Sequence, residues 1–365
     1  MTGNNRKVLY VGGFKLPDLN AAAHRVVNLG KAFSALSYNV YYMHCGNIIK
    51  QSELDEVEHI GLSRIARFKK LLGLDAIAGI RKLKPNYVVL YNYWSVSFAF
   101  VFLYCKLNKV KVISDCTEWY GVIGYRGVKK LAKFIDTEVR MRVLNKLCFK
   151  VISISTYLHS YYGHKSVLIP PLVDVDEAKW NVKAGSEFVN PKYFNILYSG
   201  NVGYGKDSLY GLIEKVIEYN KSGKRKIRVI IAGTTRLEFE TSKFNYLPKG
   251  EEQAVVFTGR LTHDEVLMLN QACDILYFYR PAIKANKAGF PTKFVEAYTL
   301  DLPIITNDVS DVSKYLQIES KGRLIESPEK LNLEEIVGVY SCRDHGLDLS
   351  FHFKNHLVSV KQLFH

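Results

Sequence analysis

Short apolar runs alternate with longer amphipathic stretches along the whole chain, and this alternation limits the possible folds more than any single motif does. Strand-like runs fall at 7–12, 39–44, 86–91, 110–114, 150–154 and 166–169, with helical periodicity over 20–36, 62–84, 95–107 and 126–147. After a polar stretch at 172–193 the pattern resumes, with strands at 194–199, 227–232, 254–257, 274–278 and 303–306 and helices over 207–220, 262–271 and 291–299. Strands that take turns with helices run parallel, so the expected class is α/β, with doubly wound parallel sheets covered by helices on both faces. A chain of 365 residues exceeds what one hydrophobic core usually fills. Two domains are expected, 1–172 and 173–346, meeting where apolar periodicity lapses and Asp, Glu, Lys and Asn accumulate.

The run from Tyr87 to Cys105 carries no charge and is long enough to suggest a membrane span. Its internal pattern reads differently: Tyr87 to Tyr91 as a short buried strand, Asn92 to Ser95 as a turn, and the remainder as a buried helix ending at Lys106. The six cysteines are scattered without close pairs or histidine spacing, which points to neither a zinc site nor a disulfide framework and suits a reducing cytosol. The first residues are polar and lead directly into a strand, with no signal-peptide pattern.

Ligands in open α/β sheets collect outside the carboxyl ends of the strands, so the residues that follow each strand are the candidates. The densest group is Gly289-Phe290-Pro291-Thr292-Lys293-Phe294-Val295-Glu296-Ala297. Gly289, Phe290, Pro291 and Thr292 open a helix whose unpaired N–H groups and dipole favour a phosphate. Lys293 adds a positive charge, and Glu296, one turn on, can accept hydrogen bonds from a ribose diol. After the strand at 194–199 the loop Gly200 to Lys206 has three glycines and a lysine, but it does not spell the dinucleotide fingerprint and no acidic residue follows the next strand near 233. An NAD enzyme is therefore disfavoured. Gly12 and Gly13 permit close approach of a ligand after the first strand, or form an ordinary turn. Asp115, Glu118 and Trp119 suit a sugar, whose hydroxyls bond carboxylates and whose C–H faces pack on an indole; a helix cap beside a core tryptophan is the alternative.

Taken together, Gly289 to Ala297, Tyr198-Ser199-Gly200-Asn201-Val202-Gly203-Tyr204-Gly205-Lys206 and Val255-Val256-Phe257-Thr258-Gly259-Arg260-Leu261 resemble, in order and spacing, the C-terminal half of bacterial glycosyltransferase family four. Val167 to Asp174 resembles that family's interdomain crossing, and Val8 to Gly13 its first strand and loop. The resemblance implies the GT-B fold: two Rossmann-like domains facing a central cleft, acceptor-binding first and nucleotide-sugar-binding second, with 347–365 as a terminal helix returning to the first. It further implies transfer of a sugar from a nucleotide donor to a glycan, with retention, in envelope polysaccharide synthesis of the capsule or O-antigen type. Lys206 and Lys293 would stabilise the leaving diphosphate, Glu296 would hold the ribose, and Gly259 and Arg260 would lie beside the base. Asp115 and Glu118 would face the acceptor or donor sugar. Two departures stand out: Asn201 occupies the family's arginine position, and Ala288 replaces the earlier of two glutamates eight residues apart. They keep open a GT-B sugar-nucleotide epimerase and a catalytically silent scaffold.

No cofactor is expected beyond the nucleotide sugar as substrate. Asp174 and Asp176 form an Asp-x-Asp pair, the metal motif of a different glycosyltransferase fold, but lie in the crossing, and no metal is expected. The net charge of +15 calls for an anionic partner. Between Gly124 and Lys150 the cations Lys129, Lys130, Lys133 and Arg140 are interleaved with apolar residues that would pack inward, as in a helix lying on an anionic membrane surface; a solvated basic helix is the alternative. A nucleic-acid partner is not expected, since no recognition motif accompanies the charge. The expected place is the inner face of the cytoplasmic membrane, with a lipid-linked glycan as acceptor.

Overall fold

A computed structural model describes residues 6–16, 21–44, 47–56, 72–122, 124–181, 185–200, 207, 209–222, 225–241, 247, 254–342 and 346–365. The chain forms two units: one of residues 1–174, 288–290 and 351–365, the other of 175–287 and 291–350.

The first unit is built on β1 (Lys7–Gly12), α1 (Ala21–Ala35), β2 (Asn39–His44), β3 (Asn47–Lys50), α2 (Leu74–Leu83), β4 (Tyr87–Tyr91), α3 (Ser95–Leu107), β5 (Lys111–Cys116), α4 (Gly127–Val139), β6 (Lys150–Ser153), α5 (Thr156–Tyr162) and β7 (Ser166–Leu168). Its sheet has the order β3-β2-β1-β4-β5-β6-β7, parallel throughout except that β2 and β3 pair antiparallel. β4 reads YVVLY because a central parallel strand is covered on both faces and has no polar side. One core layer lies on each face: Tyr10, Phe33, Val89 and Ile152 belong to one, Leu9, Val88, Phe98 and Cys105 to the other. After α4 the helix widens into a π turn over Arg140–Leu144 before a last turn at Asn145–Leu147, so the expected helix at 126–147 is one helix with an inserted residue.

The second unit comprises β8 (Phe194–Ser199), α6 (Tyr210–Ser222), β9 (Ile227–Ala232), α7 (Arg236–Thr241), β10 (Val255–Gly259), α8 (His263–Ala272), β11 (Ile275–Tyr277), α9 (Lys284–Ala288, its last residue grouping with the first unit), α10 (Thr292–Thr299), β12 (Ile304–Thr306), β13 (Gly322–Leu324) and α11 (Leu333–Tyr340). All its strands are parallel, in the order β10-β9-β8-β11-β12-β13. In each sheet the strand order reverses once, between β1 and β4 and between β8 and β11, and the crevice beside such a reversal is where α/β sheets take ligands.

Residues Phe351–His365 belong to the first unit, where a single 347–365 helix was expected. They form a 3-10 turn at Phe353–His356, α12 (Leu357–Lys361) and another 3-10 turn at Gln362–Phe364. Phe353, Val360, Leu363 and Phe364 enter the core of that unit, and Phe364 stacks on Tyr38 at 4.0 Å between ring centroids. No described helix is long and apolar enough to cross a membrane.

Candidate functional site

At the reversal point of the second sheet, three strand ends and one helix start place charged side chains together. β8 ends in Tyr198 and Ser199, after which Gly200 turns with φ 123°. β9 is followed by Gly233 at φ 105°, where a Cβ would lie 3.0 Å from the Gly200 carbonyl oxygen. Only glycine lets these two strand ends approach so closely. A Cβ on Gly200 would in turn meet the Lys293 Nζ at 3.2 Å, which places the ammonium directly against the loop.

Lys293 comes from the first turn of α10, whose N-cap, Pro291, makes no side-chain hydrogen bond to the helix start. Its ammonium is buried, 3.8 Å above the Tyr198 ring centroid, and donates to Asp207 Oδ2 at 2.7 Å. Asp207 also accepts from Arg280 Nε at 2.7 Å and from the Tyr198 hydroxyl at 2.9 Å. Arg280 follows β11 and is itself fixed by Asn307, which accepts from the Arg280 N–H and donates to its carbonyl. Two cations thus share one buried carboxylate, and the cluster keeps a net positive charge when Lys293 is protonated. Burial works to raise the Asp207 pKa, but Lys293 and Arg280 together hold it well below the ordinary carboxylate range. Burial pushes Lys293 down to about 8, against the pull of Asp207 and with the push of Arg280.

An anion bound at this cluster would favour the protonated lysine. Affinity for a nucleoside diphosphate should then hold below about pH 8 and weaken above it, approaching tenfold per pH unit while Lys293 is the group losing its proton. Calorimetric titration across that range checks it. A flat profile would mean that Lys293 keeps its charge or does not contribute.

One turn along α10, Glu296 faces the first turn of α8, where His263 Nε2 lies 3.3 Å from its Oε1. That end of α8 is closed by a capping box between Thr262 and Glu265. Glu296 is half-buried. Arg260, beyond β10, is exposed and lies 3.5 Å from Glu238. Gly259, at φ 70°, ends β10 next to Thr235. Thr292 is half-buried, while Gly289, Phe290 and Pro291 are buried; Phe290 meets Phe351 edge-on at 5.9 Å within the first unit, a core contact. Asn201 and Lys206 lie outside the described residues. Asp207, Arg280 and His263 are absent from the sequence-based candidates. Arg280 had a usable signal, a charged residue directly after a strand; Asp207 had none beyond its place after the glycine loop.

Expectations in the first unit are corrected at Asp115, Trp119, Gly12 and Arg140. Asp115 does not face a sugar: its carboxylate is fully buried and accepts from Arg25 Nη2 at 2.7 Å, Arg25 Nε at 3.1 Å and the Tyr10 hydroxyl at 2.5 Å. Trp119 is buried too, edge-on to Tyr161 at 5.0 Å and donating to Glu138 at 2.9 Å, so its ring serves the core. Glu118, between them, stays half-exposed. Gly12 is required by packing, since a Cβ would lie 2.7 Å from the Tyr91 Cβ; Gly13 is exposed, with open space around it. Among the four cations read as surface residues, Lys129 and Lys130 are exposed and Lys133 is half-buried against Asp136 at 3.7 Å. Arg140 is only 3 % exposed, its guanidinium over the Tyr120 ring at 5.3 Å, because the π turn rotates it inward. In the crossing, Asp174 gives its carboxylate to Lys31 at 2.5 Å.

Residues 193–337 match the family described as Glycosyl transferases group 1. No curated protein matches the chain. Among solved structures, sucrose-phosphate synthase from Thermosynechococcus elongatus aligns over 99% of this chain and 95% of its own, at 13% identity and TM-score 0.60. Anabaena Alr3699/HepE in complex with UDP aligns over 98% and 95%, at 12% identity and TM-score 0.58. UDP-GlcNAc 2-epimerase from Methanocaldococcus jannaschii aligns over 98% and 99%, at 13% identity and TM-score 0.58. At these identities the likeness is one of fold.

Proposed function

We propose, for a chain with the GT-B fold whose residues 193–337 match the group 1 glycosyl transferases, a glycosyltransferase that moves a hexosyl-type sugar from a nucleoside-diphosphate donor to a glycan acceptor. The observation that carries this reading is the pair of cations, Lys293 and Arg280, on Asp207 at the strand-order reversal beside the uncapped start of α10. A diphosphate there would meet a helix dipole and net positive charge at once. Arg280 offers the guanidinium that Asn201 lacks. The structural neighbour bound to UDP favours a uridine donor.

In the mechanism we propose, the sugar–phosphate bond breaks with its electron pair going to the diphosphate oxygen, and Lys293 and Arg280 stabilise the negative charge that builds there. One of the diphosphate oxygens takes the proton of the acceptor hydroxyl, which attacks the anomeric carbon from the same face, so configuration is retained. No protein nucleophile enters the scheme, and cations and the helix start neutralise the leaving group without a metal. Glu296 would hold the ribose diol, positioned by His263. The acceptor in this reading is a lipid-linked glycan of the cell envelope, met at the cytoplasmic face of the membrane.

Glu296→Ala should weaken UDP binding roughly tenfold or more, the loss expected for hydrogen bonds to a charged acceptor, with the fold intact. Unchanged affinity and turnover would remove Glu296 from the site. The second reading, a sugar-nucleotide epimerase, is favoured by the epimerase among the structural neighbours. Product analysis separates the two: transfer consumes the donor only with an acceptor, whereas epimerisation proceeds without one.

A further inference from the structure

The helix over 95–107 was expected to be buried because it carries so few charges, yet one of its edges is open. Val96, Phe100, Leu103 and Leu107 recur at helical spacing along α3 and are 50–74 % exposed. Beside it, Val128, Leu131, Phe134 and Ile135 of α4 are 50–84 % exposed, where inward packing was expected. The two helices are fixed to each other: Asp136 of α4 accepts the Ser95 N–H at the start of α3 at 2.7 Å, and α3 packs against both α4 and the π turn. α3 meets the core through Phe98, Val101 and Cys105, joined there by Leu144 of the π turn that continues α4. The exposed stripe of α3 therefore turns away from the sheet, and the stripe of α4 is exposed beside it.

Two exposed apolar stripes on neighbouring helices mark an interaction site rather than ordinary scattered exposure. Its charge decides the occupant. The exposed cations Lys106, Lys109, Arg126, Lys129 and Lys130 accompany the two stripes. Residues 94–109 contain no acidic side chain, and 124–147 contain only Asp136, buried as the cap of α3, and Glu138, engaged by Trp119 and Arg142. A second copy docked through the same face would set one basic surface against another, since a two-fold interface pairs a patch with itself.

We propose that the α3–α4 face seats the first unit on an anionic lipid bilayer, with the apolar stripes entering the acyl boundary and the lysines at the headgroups. This deepens the proposed function by naming the surface that brings the enzyme to a lipid-linked acceptor; it rests on that reading for the acceptor alone. The geometry differs from adsorption by charge, because the apolar side chains contact lipid rather than the protein interior.

The test is co-sedimentation of the full chain with phosphatidylcholine vesicles, with and without phosphatidylglycerol, at low and high salt. Binding should require phosphatidylglycerol, and part of it should persist at high salt. A Phe100→Ser/Phe134→Ser variant should bind at least tenfold more weakly at both salt levels. Lys129→Glu/Lys130→Glu should lose binding mainly at low salt, at about fivefold or more per lysine. Circular dichroism and UDP affinity, read on the same variants, separate a failure of this surface from a failure of the donor site or of folding. The proposal is overturned if the folded chain stays in the supernatant with anionic vesicles, or if the serine variant binds like the parent. It is also overturned if light scattering finds a dimer that the serine substitutions dissociate.

Discussion

Asp207→Ala should destabilise the protein by about 3–5 kcal/mol, as expected when one member of a buried ion pair is removed and its partners stay behind. Lys293 and Arg280 would then face each other at 9 % and 15 % side-chain exposure without the carboxylate that both now touch. Chemical denaturation measures the loss. The sign of its pH dependence follows from the depressed Asp207 pKa. Because the folded value lies below the ordinary 3.8, the contribution is fully present above that pH and disappears as the pH falls through the acid range. The variant should therefore lose less stability on acidification than the parent. Asp207→Asn/Lys293→Met, which removes the anion and the more buried cation and leaves Arg280 an amide oxygen as acceptor, should recover part of the stability while losing nucleotide affinity. A stable Asp207→Ala protein would mean that the cations relax into solvent and that the cluster is not prearranged.

Asp115→Ala should be of similar size, about 3–5 kcal/mol, and it separates two roles for the residue. Without the carboxylate, Arg25 at 5 % side-chain exposure would keep, among the described residues, the Ile169 and Pro170 carbonyls, at 3.5 and 3.4 Å. The expected result is a protein that unfolds early by denaturation. Asp115→Leu/Arg25→Met should restore stability to within about 2 kcal/mol of the parent, because replacing a whole buried pair by apolar groups is often neutral. Should Asp115→Asn instead abolish turnover at full stability, the residue would return to the reaction.

The fold was legible because its signal is long and redundant. Apolar runs such as Val8–Val11 of β1, Tyr87–Tyr91 of β4, Ile196–Tyr198 of β8 and Val229–Ala232 of β9 are unbroken, and their helices carry helical periodicity. β3 and β13 were missed: four residues that pair only at a sheet edge, and three that begin with a glycine, carry little pattern. The site was legible only in part, because placing a residue at a strand end does not say which way its side chain points. Asp115 is at the strand end expected of it, but the pleat directs it to Arg25 across the core. α3 failed for a related reason: absence of charge reads as burial, whereas one edge is buried and the other is not. Asp207 was invisible because its meaning lies in Arg280 and Lys293, each more than seventy positions away.

The place of Phe364 in the first core also bears on how the polypeptide is made. A ribosome delivers β1 to β7 long before it delivers Phe353, Val360, Leu363 and Phe364, yet these complete the layer that holds Tyr10, Phe33 and Val89. The unit made first is thus closed last. While the second sheet is being synthesised, the Tyr38 face and the Tyr87 hydroxyl, which will donate to the Phe364 carbonyl at 3.2 Å, stay open to chaperones or to misassembly.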